Sequence, residues 1–534
     1  MKLRHLLFGL LAGVAFVACT NDDDPAGASP VNGGDKVATA PKYMTVNFIT
    51  SDGAATRAEG DVDENAINDA VFLFFKNGAQ VAEPFEIAKK GADAVNPQGP
   101  YAGQKDSNWD GKTAVVVLDN PKDIPTSLVV LVNTGKTKDY FSNKTVADLQ
   151  GEGFVADYSA TTNGIVMSNA VYNDASGNVV GAPVIAANVC ETPEAARDNA
   201  VQVNVDRVLA KVSVTAKDGL KPESGSDKIE VEINGWGLVY ENSQSFLVKK
   251  LGTSYPNLPT SFAWNDATNK RSYWAESATY VRKNGPSHKD AAKNSLGTTL
   301  YTQENTASPT AFTEGAETNP TAVVVAATLK YKASADATAT AQNLYKFKGG
   351  VYTEADLKIL LANPFEYYKE STSTTAATTF TKLEADDYAL DYEFPTEANK
   401  LESYQAKVNL KLAESVKNVY DAAGNEIEDL STVTDALKAA VETVEYWNGG
   451  ATYYYVPIKQ YINATTPTEF VYGVVRNHSY QLNITSVKGL GTAVPQPGVV
   501  IVPITPVDGN YYIAAEIKVL DWKLVAQDVA LGAE

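Results

Sequence analysis

Apolar and polar residues alternate with a period of two along most of this chain, and this pattern constrains the fold more than any other feature. In residues 42–50 ("KYMTVNFIT"), Met44, Val46 and Phe48 share one apolar face. Side chains of a strand point alternately to its two faces, so this segment is predicted to be a half-buried β-strand. Further strands are predicted in "AINDAVFLFFKNG", "KTAVVVLDNP", "TSLVVLVNTGK", "GIVMSNAVY", "APVIAANV", "AVQVNVDRVLAKVSVTAKDG", "KIEVEINGWGLVYENSQSFLVKK", "PTAVVVAATLKYK", "NLYKFKGGVY", "ATYYYVPIKQY" and "FVYGVVRNHSYQLNITSVKGLG". Short strands separated by turn residues predict an all-β sandwich fold.

Helical signals are few, and the alternation has one notable break. Thr145 stands three residues before Asp148, which is typical of a short helix start. Helices are also predicted in "TEADLKILLANP" (353–364) and "STVTDALKAAVETVEYW" (431–447). Between Arg207 and Leu209 the alternation is interrupted, which predicts a bulge or a crossing between domains.

Charge and cysteine content exclude several classes of protein. The 534 residues carry a formal net charge of −19, whereas binding to nucleic acid or to an anionic membrane surface requires clustered Lys and Arg. The two cysteines, Cys19 and Cys190, do not provide a disulfide framework. Stability must therefore come from a core of β-branched and aromatic residues.

The N-terminus has the pattern of an export signal. Residues 1–19 ("MKLRHLLFGLLAGVAFVAC") contain basic residues, then an apolar run too short to span a bilayer, then a small residue before Cys19. This arrangement resembles a bacterial lipoprotein signal and predicts lipidation at Cys19. The polar segment that follows, to about residue 40, is typical of a flexible tether.

No catalytic or metal-binding motif is complete in the sequence. The sequence contains no H-E-x-x-H, G-x-S-x-G or C-x-x-C motif, and its two "GKT" triplets lack the preceding glycine of a phosphate loop. The acidic pair Asp386–Asp387 is interpreted as a solvated loop, His478 as a half-buried hydrogen-bonding residue, and Cys190 as a small buried residue. We therefore predict no enzymatic activity, no cofactor and no metal site.

The C-terminus raises a question of its own. Alternation continues through residues 513–519 and again at Val525, Val529 and Leu531, leaving an apolar strand at the end of the chain. An unpaired apolar strand is an aggregation hazard. If a protease cut after the lone Arg57, the strand at residues 42–50 could leave and the terminal strand of another subunit could replace it. The alternative is that both strands complete sheets of their own chain.

Several stretches resemble one known family. They are the signal to Cys19, the pair Arg57–Ala58, and the segments "SLVVLVNTGK", "VDRVLAKVSV", "NGWGLVYENSQSFLVKK", "VVRNHSYQLNITSVKGLG" and "IKVLDWKLVAQDVAL". With these the chain resembles the FimA-like type V fimbrial pilins of the Bacteroidales, most closely the shaft subunit of the short (minor) fimbriae. The resemblance spans nearly the full length except the middle, residues 251–445.

The resemblance implies two transthyretin-like β-sandwich domains, export as an outer-membrane lipoprotein precursor, cleavage by an Arg-specific surface protease and polymerisation by donor-strand exchange. Carried over, Cys19 is the lipidated (palmitoylated) residue, the cut falls between Arg57 and Ala58, and the removable strand contributes Met44, Val46 and Phe48. The donor strand contributes Trp522, Leu524, Val525, Val529 and Leu531, and either of its faces, the one with Trp522, Leu524 and Ala526 or the one with Val525, Val529 and Leu531, could be buried.

The predicted organisation is a lipoprotein signal (1–19), a propeptide with linker and removable strand (20–57), an N-terminal β-sandwich (58–203) and a C-terminal β-sandwich ending in the donor strand (204–534). The predicted function is the major structural subunit of a surface fimbria that supports adhesion and biofilm formation. Expected partners are other copies of the chain, anchor and tip subunits, the processing protease, and host or bacterial receptors. The alternative is a non-polymerising tip adhesin or a glycan-binding surface lipoprotein.

Overall fold

In this computed structural model, most of the described strands lie where apolar and polar residues alternate in the sequence. The structure describes residues 42–50, 64–90, 93–95, 113–118, 121–151, 155–156, 164–174, 177–223, 227–251, 270–271, 275–278, 281–282, 285–306, 319–371, 378–394, 404–461, 470–499, 513–520 and 523–524. The predicted all-β fold class is confirmed. Within these residues no helix is long and apolar enough to cross a membrane.

The N-terminal part of the chain is built mainly from one large sheet. Its strands are β1 (Lys42–Thr50), β2 (Asp69–Lys76), β3 (Ala79–Gln80), β4 (Phe85–Lys90), β5 (Asp93–Val95), β6 (Thr113–Leu118), β7 (Ser127–Val132), β8 (Val155–Ala156), β9 (Met167–Asn169), β10 (Tyr172–Asp174), β11 (Gly177–Val179), β12 (Ala182–Pro183) and β13 (Val201–Arg207). Ten of them form the N-terminal sheet, in the order β5-β4-β2-β7-β9-β13-β1-β6, with β3 beside β2 and β12 beside β7. The turn after β2 uses Asn77 and Gly78, both with positive φ (50° and 79°), as its Asn-Gly sequence predicts.

Both faces of the N-terminal sheet bury apolar side chains. The inner face encloses a core that includes Val46, Phe72 and Val116, each fully buried. The outer face of β2 and β7 packs against Phe141 and Leu149 and against residues from later in the chain, as described below. Two short helices belong to this part, α1 (Val146–Leu149) and α2 (Pro193–Arg197). The predicted helix start at Thr145 is confirmed, because its side chain and that of Asp148 form a reciprocal capping box.

The remaining strands begin directly after β13. They are β14 (Leu209–Ala216), β15 (Ile229–Val239), β16 (Glu241–Asn242), β17 (Ser245–Phe246), β18 (Lys270–Arg271), β19 (Val281–Arg282), β20 (Thr299–Gln303), β21 (Ala322–Tyr331), β22 (Thr340–Ala341), β23 (Leu344–Phe347), β24 (Gly350–Thr353), β25 (Tyr368–Glu370), β26 (Phe380–Lys382), β27 (Tyr388–Glu393), β28 (Gln405–Leu412), β29 (Glu442–Trp447), β30 (Ala451–Pro457), β31 (Lys459–Tyr461), β32 (Phe470–Tyr472), β33 (His478–Val487), β34 (Thr492–Ala493), β35 (Ile513–Leu520) and β36 (Lys523–Leu524). The helices here are α3 (His288–Ala291), α4 (Glu354–Ala362) and α5 (Leu430–Ala439).

Two five-stranded sheets form what we call the C-terminal sandwich. One has the order β20-β14-β33-β35, with β36 also paired to β33, and the other has the order β15-β21-β30-β34, with β22 paired to β21. Their facing sides share a core that includes Trp236, Tyr454 and Tyr480, all fully buried. The chain changes sheets at Val208, between β13 and β14, where the sequence pattern is interrupted. The expected domain boundary at 203/204 lies within β13 and stays a prediction.

Residues 344–447, which we call the insert, have a core of their own. A five-stranded sheet in the order β24-β23-β29-β28-β27 packs against α4 and α5 around Leu357, Val408 and Leu437. The helix predicted at 353–364 is confirmed, with Thr353 as its N-cap. The helix predicted at 431–447 is wrong in its second half. It ends at Ala439, and residues 442–447 form β29, where Val444, Tyr446 and Trp447 are buried.

The strand predicted in "APVIAANV" is also mostly wrong. Only Ala182–Pro183 pairs as a strand, and Ala186–Asn188 form a 3₁₀ turn. The side chain of Asn188 accepts a hydrogen bond from the backbone N–H of Ile185 at 2.8 Å, which closes the turn. Ile185 is 64% exposed, so its position in the apolar pattern did not predict a buried side chain.

Candidate functional site

Strand β1, which precedes the expected cut, is an interior strand of the N-terminal sheet. It pairs in parallel with β13, from Val46↔Val201 to Thr50↔Val205, and antiparallel with β6, from Lys42↔Leu118 to Asn47↔Thr113. Its backbone is thus hydrogen-bonded on both sides. Among the described residues β1 is the only strand paired with β6, so the loss of β1 would leave β6 and one side of β13 without a neighbour.

The side chains of β1 fill the centre of the N-terminal core. Met44 and Val46 are fully buried and Phe48 is 5% exposed, as the alternation predicts. The ring of Phe48 lies 5.9 Å from that of Phe72 on β2. Burying three such side chains contributes roughly 5–9 kcal/mol. A chain that lost β1 would therefore expose a long apolar groove.

The start of β1 has further neighbours outside the sheet order. Helix α2 packs against it, and Tyr43 exchanges two backbone hydrogen bonds of 2.8 Å with Cys190. Lys42 also forms an ion pair with Glu191. Burial, followed by the negative charge of Glu191, raises the pKa of the Cys190 thiol, which disfavours the reactive thiolate. Cys190 is half-buried rather than fully buried, and its backbone holds the start of β1.

The strand predicted in residues 513–519 is confirmed, and it pairs within its own chain. Strand β35 runs antiparallel to β33 from Val487↔Ile513 to Ser479↔Leu520, with one irregularity between Ile484 and Ser486. Strand β36, which contains Leu524, meets β33 at a single position, His478↔Lys523. Among the described residues of the chain end, the continuous ladder with β33 runs to Leu520.

Most other residues that the resemblance assigns to assembly lie outside the described residues. These are Cys19, Arg57, Ala58, Trp522, Val525, Val529 and Leu531. Their roles stay predictions. The described parts of the two expected partners, β1 and β35 with β36, belong to different sheets.

A buried polar cluster that the sequence analysis did not predict lies where β13 passes to β14. Its centre is an ion pair between Arg476 and Glu304, with exposed fractions of 1% and 0% and an N–O distance of 3.0 Å. The same guanidinium donates to the carbonyl oxygens of Phe246 (2.9 Å) and Leu247 (3.4 Å). A buried charge of this kind is tolerated only when it is paired and hydrogen-bonded, as here.

The carbonyls that Arg476 binds belong to a segment that we call the arm, residues 245–249. Leu247 and Val248 of the arm pack on the outer face of β2 and β7, so this piece of the C-terminal part covers the N-terminal sheet. The arm ends at Lys249, which forms a buried ion pair of 3.2 Å with Asp206 on β13.

Asn477 completes the cluster. Its amide donates to Asp206 at 3.0 Å, and its side-chain oxygen accepts from Arg207 at 3.0 Å. Three stretches that carry the family resemblance therefore meet at one place: "VDRVLAKVSV", "NGWGLVYENSQSFLVKK" and "VVRNHSYQLNITSVKGLG". The available signal was the presence of Asp, Arg, Lys and Asn inside apolar runs, but sequence alone does not pair them.

The residues considered for chemistry have structural roles. His478 is 1% exposed, and its Nδ1 contacts the carbonyl oxygen of Arg476 at 2.9 Å, so it is more deeply buried than expected. Asp387 is not a solvated loop residue, because it is 7% exposed and bound by Lys369 at 2.6 Å. Gly135 lies in a turn with a φ of 63°. No group of three or more His, Cys, Asp or Glu side chains within the described ranges could hold a metal ion.

The fold and this site define an all-β protein in which β1 is an interior strand of the N-terminal sheet and β35 is an edge strand of the C-terminal sandwich. Residues 445–528 match the family model described as "Major fimbrial subunit protein type IV, Fimbrillin, C-terminal". The match runs from β29 to β36 and confirms the resemblance to the type V fimbrillin family. No curated protein matches the chain.

Solved structures with similarity to this chain include fimbrial and adhesion proteins. One is described as a cell adhesion protein from Parabacteroides distasonis (11% identity, TM-score 0.35, 91% of this chain and 98% of that chain). Another is the tip fimbrial protein Mfa3 from Porphyromonas gingivalis (13% identity, TM-score 0.31, 90% of this chain and 100% of that chain). A third is a fimbrilin, FimA, from the same organism (12% identity, TM-score 0.32, 89% of this chain and 96% of that chain).

Proposed function

We propose that this protein is a shaft subunit of a cell-surface fimbria, exported as a lipoprotein through Cys19 and cut after Arg57. The cut would release β1, and the C-terminal segment of another copy would take its place. The observation that carries the proposal is the interior position of β1. The strand next upstream of the expected cut has hydrogen-bonded neighbours on both sides and fills the core with Met44, Val46 and Phe48.

An interior strand makes replacement, rather than simple loss, the favourable outcome. Departure of β1 would expose unpaired backbone groups on β6 and β13 together with the apolar floor around Phe72. Unpaired buried backbone groups and exposed apolar surface are both costly. A donated strand would restore both, with backbone hydrogen bonds for affinity and alternate side chains for register.

The donor that we propose starts after Leu520, where the pairing of β35 with β33 ends. Residues 521–531 would span about 36 Å when extended, which is enough to fill the place of the nine-residue β1. Trp522, Leu524, Val525, Val529 and Leu531 would supply its apolar side chains. A donor at the C-terminal end of one copy and a groove in the N-terminal sheet of the next would let each copy donate once and accept once, and such a contact builds a filament.

Partners follow from this assembly. A fimbrial subunit associates with other subunits of the same filament, here with further copies and with anchor and tip subunits. The processing protease would be Arg-specific, and adhesion would use host or bacterial surface receptors. The fimbrillin match supports a structural role rather than an enzymatic one.

The test is assembly of purified precursor after treatment with an Arg-specific protease, with the cut at Ala58 confirmed by N-terminal sequencing. Wild type is expected to change from monomer to ladders that resist SDS. Truncation after Leu520 keeps β35 whole and removes the donor, so this variant should be cut but stay monomeric. Arg57→Lys keeps the charge, resists the protease at this position and should stay uncut and monomeric.

Two outcomes would contradict the proposal. If wild type is cut at Arg57 and stays monomeric, it does not assemble by strand exchange. If the truncated variant still forms ladders, assembly does not need residues 521–534. In the first case the alternative, a non-polymerising tip adhesin or glycan-binding surface lipoprotein, would become the better explanation.

A further inference from the structure

The first described residues downstream of the expected cut, residues 64–68, touch both parts of the molecule. Glu64 reaches the C-terminal sandwich. Both of its carboxylate oxygens accept from Nζ of Lys211 on β14, at 3.0 and 2.9 Å, and one accepts from the hydroxyl of Tyr301 on β20 at 2.6 Å. The side chains of Glu64 and Lys211 are only 18% and 24% exposed, so this ion pair is more shielded than one on an open surface.

Arg207 binds the same segment from the passage between the sheets. Its Nε donates to the carbonyl oxygen of Glu64 at 2.9 Å, and its guanidinium also donates to the side chain of Asn65. Arg207 is 3% exposed and also binds Asn477, so it connects this segment to the buried polar cluster.

The other end of the segment is bound to the N-terminal sheet. Asn133, which follows β7, donates to the carbonyl oxygen of Ala66 at 2.7 Å and accepts from the backbone N–H of Asn68 at 2.8 Å. Between them Ile67, 4% exposed, packs in the same core as β1. Strand β2 begins at the next residue, Asp69.

We propose that residues 64–68 form a strap that fastens the N-terminal sheet to the C-terminal sandwich and that stays in place after the cut. The part of the proposal that concerns the cut rests on the proposed function. The strap itself is formed in the uncut chain. Glu64, Lys211, Tyr301 and Arg207 act as positioning residues for the start of the mature chain.

The strap matters because of what lies on each side of it. A cut after Arg57 places the new chain end at Ala58, six residues before Glu64, while β1 leaves from beside Val205 on β13. Without an anchor, the free end could peel away from Asn133 and withdraw Ile67 from the core that a donor strand must fill. With the anchor, only β1 is released and the groove keeps its shape.

The test compares Glu64→Gln and Lys211→Met with a matched control pair, Glu223→Gln and Lys488→Met. The control ion pair is 3.5 Å long, 50% and 31% exposed, and far from the strap in sequence. Hydrogen exchange is measured for a peptide covering residues 64–73, first in the uncut precursor and then after cutting. The cut samples carry the truncation after Leu520, so that assembly does not obscure the result.

Exchange of the Ala66–Asp69 amides is expected to be at least about tenfold faster in the two strap variants than in wild type, and unchanged in the two controls. In wild type the protection should be the same before and after the cut. The double variant Glu64→Lys with Lys211→Glu should recover most of the wild-type protection, because the ion pair is restored with the two charges exchanged.

If the amides of the strap variants exchange as slowly as those of wild type in the uncut precursor, the proposal that residues 64–68 form a strap is wrong. If the amides of the wild-type strap lose their protection from exchange after the cut, the strap does not stay in place. A failure of Arg57 cleavage or of assembly would count against the proposed function, while the uncut comparison would still decide whether the strap exists.

Discussion

Arg476 and Glu304 form an ion pair that is almost completely removed from solvent, and the same arginine holds the backbone of the arm at Phe246 and Leu247. One side chain thus satisfies a buried carboxylate and two buried carbonyl groups. The pair lies between the N-terminal sheet and the C-terminal sandwich, so its loss should destabilise both.

Arg476→Gln is expected to destabilise the protein by about 3–5 kcal/mol, because it leaves the charge of Glu304 buried without a partner. The measurement is urea unfolding of the truncated precursor. The surface pair Lys411–Asp391, 3.6 Å long and about half exposed, provides the control. Lys411→Gln should cost less than about 1 kcal/mol. Equal effects at the two positions would show that the buried pair has no special role.

Phe48→Ala should destabilise the uncut precursor by about 3–5 kcal/mol, because it opens a cavity beside Phe72. The cut, truncated monomer should unfold at the same temperature with or without this substitution, since β1 has left. Asn47→Ala, on the other face of β1, should have little effect on either form. A cut monomer that is still sensitive to Phe48→Ala would show that β1 stays bound after cleavage.

Gly450 and Gly449 both have positive φ values, 79° and 61°, but only Gly450 is crowded. A Cβ at 450 would lie 2.1 Å from the carbonyl oxygen of Leu329, whereas one at 449 would meet nothing within 4 Å. Gly449→Ala is therefore expected to cost about 1 kcal/mol and Gly450→Ala more than about 3 kcal/mol. Thermal unfolding of both variants checks this, and a similar loss at the two sites would contradict it.

Asp69, at the start of β2, should make stability depend on pH. Burial, followed by the negative charge of Glu86, raises the pKa of its carboxyl group from 3.8 to about 6. Because the folded state favours the protonated form, this stabilisation is complete below pH 3.8 and is lost as the pH rises through 6. Asp69→Asn, which is neutral at every pH, should be more stable than wild type by about 3 kcal/mol at pH 7.5.

The advantage of Asp69→Asn should disappear near pH 4, where wild-type Asp69 is protonated as well. Urea unfolding at four or five pH values gives the difference directly. A constant difference between wild type and Asp69→Asn across the pH range would contradict the raised pKa.

The sequence predicted local structure well wherever a strand has one buried face. Met44, Val46 and Phe48 alternate in the sequence and are buried as a set, because the period of a strand decides which side chains face the core. The pattern failed where a helix gave way to a strand within one apolar stretch. The apolar residues of 431–447 are compatible with a helix and with a strand. The chain changes from helix to strand after Ala439 because β29 pairs with β28, which lies about 30 residues earlier in the sequence.

The buried polar cluster could not be predicted for a related reason. Asp206 and Lys249 are 43 positions apart and Glu304 and Arg476 are 172 apart, and a charged residue in a sequence carries no sign of its partner. Only the fold brings them together. The segments that contain Arg476, Asp206 and Lys249 were selected by their resemblance to a family, yet the reason for their composition became visible only at the passage between the sheets.

The insert enters and leaves the C-terminal sandwich through paired neighbours, since Leu344 on β23 lies opposite Trp447 on β29. Both residues also contribute to the core of the sandwich, while the rest of the insert encloses its own core. A module with adjacent ends and a largely separate interior can vary beyond Leu344 and Trp447 with little effect on its host. On a filament this would allow the exposed surface to diversify while the parts that build the fibre stay the same.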